Sequence, residues 1–522
     1  MTKGSTIIKG ALILTLAGII TRILGFIYRI YIAGEIGAEG MGLYQLIIPL
    51  YTMAWSISCA GITTTVSKLV AAEAADGNKA NLRRITYISI FLTTALGLAV
   101  MSILFIGADF IANNLLNDAR TVMSIRILAP IVPFMAAGSA IRGYFTGLSK
   151  MHIPATSQVL EQVVRMVVIA IALQAVAGRG LEFAAAAAVI GVGAGEVLSF
   201  LFVLFMYRCD RMKNNEAAAA DGPTMRKRVA LITIVSMSLP LTLNRVTGSL
   251  LSAVENVFIP RSLQAYGLSA GEAMAEFGRI TGMAMPLIFF PSAFLVSLSV
   301  SLVPAVSESV AKKTLPNLEP ILSKAFFFTI LVGIGAAALF LSFSAELGMA
   351  IYSQNIGQIL FLMAFVCPLW YINITINGVL NGLGAMGTVF KNNLISSAIT
   401  ILSIIFFVPR FGIAAFAGGW FFGVLCQVIL SMVKIRKTIK VRIQPVKYII
   451  KPALAAAGAG LLARLLAGRV LFPAFGQTVG IIMAVALVLA LYITFMLFIG
   501  VLSGKDIIVA TRKITNSIKR KS

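Results

Sequence analysis

The chain has 522 residues, 59% hydrophobic and only 12% charged, with a net charge of +24. A mean hydropathy of +0.95 excludes the water-soluble globular classes, and successive apolar windows of about twenty residues read as a polytopic helical membrane protein. The cationic surplus points to basic loops beside anionic headgroups, not to nucleic acid, and Cys59, Cys209, Cys367 and Cys426 show neither metal-ligand spacing nor a disulfide framework.

The first segment, 7–33, is too long for a signal h-region and lacks a small-residue cleavage end, so it reads as a retained span. It carries Arg22 and Arg29 seven positions apart, nearly on one helical face, with Gly18 and Gly25 on that face too. A charge at the centre of a membrane helix costs about 2.5–3.5 kcal/mol. Two arginines on one face therefore either snorkel or find buried carboxylates, or they line a watery cavity that receives an anion.

Thirteen further spans are expected at 41–67, 86–108, 121–145, 154–177, 183–207, 229–259, 277–309, 324–344, 356–381, 392–409, 411–433, 452–472 and 477–502. Most of the 43 Lys and Arg fall in the termini and in alternate loops, which by the positive-inside rule makes both ends cytoplasmic. Pro130 and Pro133 mark the fourth span as kinked and Pro286 and Pro291 the eighth, all four being hinge candidates. His152 lies in a loop and reads as a surface residue.

Three later spans carry polar faces. In the fifth, Gln158, Glu161, Gln162 and Arg165 stand at i, i+3, i+4 and i+7, with Glu161 well placed to pair with Arg165. In the seventh, Thr242, Arg245, Gly248, Ser249, Ser252, Glu255 and Asn256 run along nearly four turns, a stripe too long for one interhelical contact, and Asn244 is a further candidate for the cavity lining. In the tenth, Asn373, Asn377 and Asn381 repeat every four residues, a spacing that also suits polar glue between helices. Arg22, Arg29, Arg165 and Arg245 outnumber the intramembrane acids Glu161, Glu196 and Glu255, so a cavity lined by them has a positive surplus suited to phosphate oxygens. The acids are either ion-coupling groups, for a proton or sodium, or structural hydrogen-bonders. Arg464 lies among Ala, Gly and Leu, at a lateral groove or snorkelling. No Walker loop, HExxH or His/Cys cluster is present, so an enzyme is not expected and no metal or cofactor is implied; energy would come from an ion gradient, the membrane potential or nothing.

Thr21-Arg22-x-x-Gly25 has a counterpart in Asn244-Arg245-x-x-Gly248, and the basic segment after Ser67 has one after Pro304, which suggests a parallel repeat of six spans. The expected division is an N-lobe 1–207, a basic linker 208–228, a C-lobe 229–433, a basic loop 434–451, a terminal helix pair 452–502 and a basic tail 503–522.

The stretches KGALILTLAGIITRILGF (9–26), IGAEGMGLYQ (36–45), SKLVA (67–71), RGYFTGL (142–148) and QVLEQVVR (158–165) resemble the stage V sporulation protein B group. That group lies in the polysaccharide branch of the multidrug/oligosaccharidyl-lipid/polysaccharide exporter superfamily, beside the MurJ-type lipid II flippases. The resemblance implies two six-helix lobes in a V around a central cavity, plus two C-terminal helices that form a groove for a lipid tail. It implies alternating access that carries an undecaprenyl-diphosphate-linked glycan to the outer leaflet of the bacterial cytoplasmic membrane, in support of the cell wall, with lipid II the leading substrate. Another lipid-linked glycan, or a drug for a cation-coupled exporter, are the alternatives. Arg22, Arg29 and Arg245 stand where the family places arginines for the diphosphate. The implied partners are that lipid, anionic membrane lipids and cell-wall synthesis proteins, around a monomer. The chain departs from the better-known lipid II flippases in its second span, where Leu43-Tyr-Gln-Leu and Ser56-Ile-Ser-Cys59 supply neither the Asp nor the Arg pair of that type.

Overall fold

In the computed structural model, which describes residues 3–215, 225–439 and 444–502, every regular element is a helix. Parts of the expected linker (216–224) and basic loop (440–443), and the tail 503–522, lie outside the described residues. The principal helices are α1 (Lys3–Ser58), α2 (Ala60–Ala75), α3 (Lys79–Ile106), α4 (Val132–Gly147), α5 (His152–Ala175), α6 (Leu181–Asn215), α7 (Lys227–Ala265) and α8 (Ala270–Gly278). They continue as α9 (Ala293–Ala311), α10 (Glu319–Tyr352), α11 (Gly357–Ala364), α12 (Cys367–Gly382), α13 (Met386–Phe406), α14 (Ile413–Thr438), α15 (Lys451–Leu466) and α16 (Phe472–Phe498). Large apolar side chains such as Phe91, Ile103, Phe205, Phe294 and Phe498 are exposed along them, the pattern of helices that face hydrocarbon.

Eleven helical runs are long and apolar enough to cross a membrane, and twelve if the bent pair α11–α12 is one span, against the fourteen expected. Two of the runs, Ile13–Ala75 and Val446–Phe498, are 63 and 53 residues long. Each contains a glycine with positive φ, Gly37 at 68° and Gly476 at 72°, where the helical dihedrals break. Glycine lacks the Cβ that makes this backbone costly for other residues. The proline positions coincide with irregular backbone. Pro130 sits in a 3-10 turn, Ala129–Ile131, ahead of Pro133 in the first turn of α4. Pro286 follows a π-helical segment, Arg279–Ala284, and Pro291 lies in the break before α9.

The chain forms two compact units, Met1–Gly282 and Met283–Ser522. The first extends past 208–228, because α7 packs on α1, α2 and α3, and α8 on α1.

Glycines set the closest helix approaches, as expected where lipid supplies no hydrophobic drive between helices and van der Waals packing must hold them. The same approaches occur in both units. In the first, a Cβ on Gly97 of α3 would lie 2.9 Å from Pro133, and one on Gly143 or Gly147 of α4 would strike the α2 carbonyls of Thr63 and Ser67 at 2.8 and 2.7 Å. In the second, Gly333 of α10 meets Pro368 at 2.7 Å, and Gly378 and Gly382 of α12 meet the α9 carbonyls of Ser299 and Val303 at 2.6 and 2.9 Å. Gly195 of α6 abuts Glu161 of α5, as Gly423 of α14 abuts Ser396 of α13. The loops agree as well, with positive φ at Ser149 after α4 and at Gly384 after α12. The helix packing thus repeats in chain order, without inversion.

Candidate functional site

The polar stripe of α7 lines a cavity of about 460 Å³ inside the first unit. Arg245, Gly248, Ser249, Ser252 and Asn256 form one wall, and Gln45, Thr52, Trp55 and Ser56 of α1 form the other. Helical spacing places each set on a single face. Ser56 Oγ and Ser249 Oγ are 2.7 Å apart, a hydrogen bond that ties the two walls together. The Arg245 guanidinium lies over the Trp55 ring, 5.4 Å from its centroid. A cation over an aromatic face keeps its N–H groups as donors, and a guanidinium can pair with two oxygens of an anion. Asn256 is turned back on its own helix, Nδ2 donating to the Ser252 carbonyl at 2.7 Å. Asn244 is exposed and Glu255 half-buried; neither lines this cavity.

Arg22 is exposed and Arg29 half-buried on the first half of α1, and neither lines this cavity. Thr21 beside Arg22 donates to the Gly18 carbonyl at 3.1 Å. Arg165 has a different environment. Its NH2 group donates to Glu161 Oε1 at 2.6 Å, and both side chains are less than one fifth exposed. The guanidinium is therefore neutralised within α5. Gln162 is buried beside Gly25 of α1, while Gln158, a turn away, is exposed. Glu196 is 4% exposed and accepts from the Tyr51 hydroxyl; its second oxygen has no hydrogen-bond partner among the described residues. Asn373, in the second unit, is buried, and Oδ1 of both Asn373 and Asn377 lacks a hydrogen-bond partner among the described residues. His152 is exposed at the first residue of α5.

Sequence reasoning did not single out the α1 wall of the cavity. The available signal was Gln45, Thr52 and Ser56, polar residues on one face of an otherwise apolar helix. Trp55 carries no such pattern signal.

The second unit holds an apolar groove of about 900 Å³ between α10, α12, α14 and α15, the first helix of the C-terminal pair. Ile334, Ala338, Ile372, Met432 and Ala456 are among its walls, and Arg436 and Arg464 are the cations that line it. Arg464 donates to the Ser342 carbonyl, and its guanidinium stands 3.8 Å from Glu346.

A family described as "Polysaccharide biosynthesis protein" matches residues 7–310, more than half of the chain. Stage V sporulation protein B of Bacillus subtilis (strain 168) is 32% identical over 451 residues, covering 85% of this chain and 86% of that one. The chain belongs to the polysaccharide biosynthesis protein family. Its fold is that of two kinds of solved transporter. A structure titled "Lipid II flippase MurJ, inward closed conformation" superimposes with a TM-score of 0.67 at 14% identity, over 93% of this chain and 98% of that one. An inward-facing multidrug resistance MATE family transporter of the MOP superfamily gives 0.62 at 15% identity, over 80% and 94%. Family membership, the shared helical fold and the eleven apolar helical runs together describe a multi-pass membrane protein.

Proposed function

We propose that this protein is a flippase that moves an undecaprenyl-diphosphate-linked glycan, with lipid II as the leading substrate, from the inner to the outer leaflet of the bacterial cytoplasmic membrane by alternating access. The observation that carries the reading is the Arg245 guanidinium, over the Trp55 ring in a polar-walled cavity of about 460 Å³ within an apolar helix bundle. A diphosphate is the lipid-borne group that such a guanidinium suits. Arg22 and Arg29 complete the charge on the substrate path. Arg165 does not, because Glu161 holds it. The apolar groove against α15 has the volume and apolar character to receive part of a polyprenyl tail. Glu196, buried with one oxygen unsatisfied, is the coupling carboxylate for a proton or sodium ion. The protein works as a monomer, alongside anionic lipids and cell-wall synthesis proteins.

The test is flipping of a fluorescent lipid II in proteoliposomes. Arg245→Ala should cut the initial rate by about tenfold or more, the scale of a lost charged contact of about 1.5–3 kcal/mol, with melting temperature unchanged. Glu196→Gln should abolish the dependence of rate on the ion gradient. Full flipping by Arg22→Ala, Arg29→Ala and Arg245→Ala alike would remove the diphosphate role.

A further inference from the structure

The first unit contains a second polar cavity, of about 270 Å³, at the end of the helices where the loops are richest in Lys and Arg. Lys79 and Arg83 of α3, Lys150 and Arg211 line it, with Tyr144 and Tyr207 between them. Glu73 is the one carboxylate in this lining among the described residues, and its Oε2 already accepts from Asn81 Nδ2 at 3.1 Å. Asp210 stands beside the cavity, receiving the Tyr144 hydroxyl at 2.8 Å and the Lys150 ammonium. With both carboxylates counted against the four lining cations, the site keeps a surplus of two positive charges.

The walls are built and not loose. The Asn78 side chain caps α3 by accepting from Asn81 N–H at 3.0 Å. Asn81 Oδ1 accepts from Met225 N–H at 2.7 Å, and Arg84 donates to the Met225 carbonyl, so the start of α3 clamps the chain that enters α7. Tyr144 is 4% exposed and packs edge-on against Tyr207, with ring centroids 5.1 Å apart.

The repeat supplies an internal control. The glycine contacts align α4 with α12 and α6 with α14, so Tyr144, Tyr207 and Arg211 correspond to Val379, Ile435 and Ile439. Those three are 0%, 0% and 3% exposed, and they belong to a closed hydrophobic cluster. Lys150 corresponds to Ala385, packed against the same cluster. The scaffold therefore closes this corner with aliphatic side chains in one copy, and in the other opens it and lines it with cations. The open, cationic version is particular to the first copy.

We propose that this cavity is a binding site for a phosphate-bearing anion, distinct from the cavity at Arg245. The Arg211 guanidinium, the Lys79 ammonium and the Tyr207 hydroxyl are donors of the kind phosphate oxygens take, in a corner where four cations stand against two carboxylates. Leu82 and Leu148 give one side an apolar wall, which suits the glycerol of a phospholipid as well as it suits exclusion of water around a free phosphate. Basic pockets between helices near a membrane surface hold lipid headgroups by this chemistry.

The full chain, in nanodiscs, separates the sources. In pure phosphatidylcholine discs, inorganic phosphate is titrated at constant ionic strength, with chloride as the control, and melting temperature is read. In discs of phosphatidylcholine and phosphatidylglycerol at four to one, native mass spectrometry counts the phosphatidylglycerol retained after release. Two variants are compared with the wild type: Arg83→Gln with Arg211→Gln, and Tyr207→Ile with Arg211→Ile, which imports the side chains of the closed copy. A saturable phosphate shift weakened tenfold or more in both variants identifies free phosphate. Retention of one phosphatidylglycerol, lost in both variants, identifies the lipid headgroup. The isoleucine variant keeps the test valid if the glutamine variant misfolds, since the second copy folds with those residues. No saturable phosphate effect, together with equal phosphatidylglycerol counts in wild type and isoleucine variant, overturns the proposal.

Discussion

Arg245 and Arg165 are both guanidiniums on apolar helices, and their neighbours give them opposite roles. Arg245 lies over an aromatic face and lines a polar cavity. Arg165 is closed by a carboxylate one turn back. Removing one member of a buried pair leaves an uncompensated charge and costs about 3–5 kcal/mol. Arg165→Ala should therefore unfold at markedly lower temperature in detergent. The double replacement Glu161→Ser with Arg165→Thr should lose far less, because Ser396 and Thr400 occupy the corresponding places in the second unit. If the double variant melts as low as the single one, the pair is not self-contained. The pairing itself was legible in the sequence, since Glu161 and Arg165 stand four apart in the favourable order. Trp55 was not legible. An aromatic residue in an apolar helix looks like any lipid-facing or packed residue until a cation is seen above it. The same holds for Lys79, Arg83 and Arg211: in the sequence they serve to orient the loops, and only the packing of α3, α4 and α6 gathers them at one cavity.

At the scale of single elements, hydropathy located the helices, and Pro130 and Pro286 stand at irregular turns, whereas Pro49, Pro240, Pro260 and Pro304 sit inside helices. Hydropathy could not say which of 45 glycines are contacts. That depends on the neighbour: Gly143 meets a carbonyl across the helix interface, whereas Gly387 has open space around it. Gly143→Leu and Gly378→Leu should each destabilise by about 1–3 kcal/mol, the range for forcing extra methylenes into a packed interface. Gly387→Ala should leave the melting temperature within a degree or two. Equal effects at all three positions would mean that the glycine contacts do not hold the helices. The start of α8 carries a different local device. Ser269 and Glu272 form a capping box, with Ser269 N–H and Oγ donating to Glu272 Oε2 at 2.9 and 2.7 Å. The hydroxyl bond, aided by the backbone one, holds the Glu272 carboxyl below its usual range. A depressed carboxyl contributes stability above its unfolded value of about 4.3, and loses it as pH falls through the folded value. Amide exchange at Ala270–Glu272 should accelerate in that acid window in the wild type, relative to the intrinsic rate, and be insensitive to it in Glu272→Gln. An identical pH profile in both proteins would leave the carboxylate with no part in the cap.

For the whole molecule, the question that packing raises is how many times the chain crosses. A helix of 56 residues would be about 84 Å long at 1.5 Å per residue, nearly three times the roughly 30 Å of hydrocarbon. Gly37 breaks α1 where the sequence offers Glu35 and Glu39 as charged neighbours, so each part is long enough to cross the hydrocarbon once, at about 51 and 32 Å. Gly476 does the same between 446 and 498. We propose that each of these runs crosses twice, which raises the twelve-span count to fourteen and returns both termini to the cytoplasm. The parallel order of glycine contacts is compatible with this, since a repeat of six spans keeps the same orientation in both copies. Single cysteines in a cysteine-free background, labelled by an impermeant maleimide on intact cells, decide it. Glu35→Cys, Gly178→Cys and Ala474→Cys should label from outside. Gly77→Cys, Ser149→Cys and Lys451→Cys should label only after permeabilisation. If Glu35→Cys or Ala474→Cys behaves like Gly77→Cys, that glycine marks a kink within one span, the crossing number falls, and the lipid-tail role drawn from a separate terminal helix pair falls with it.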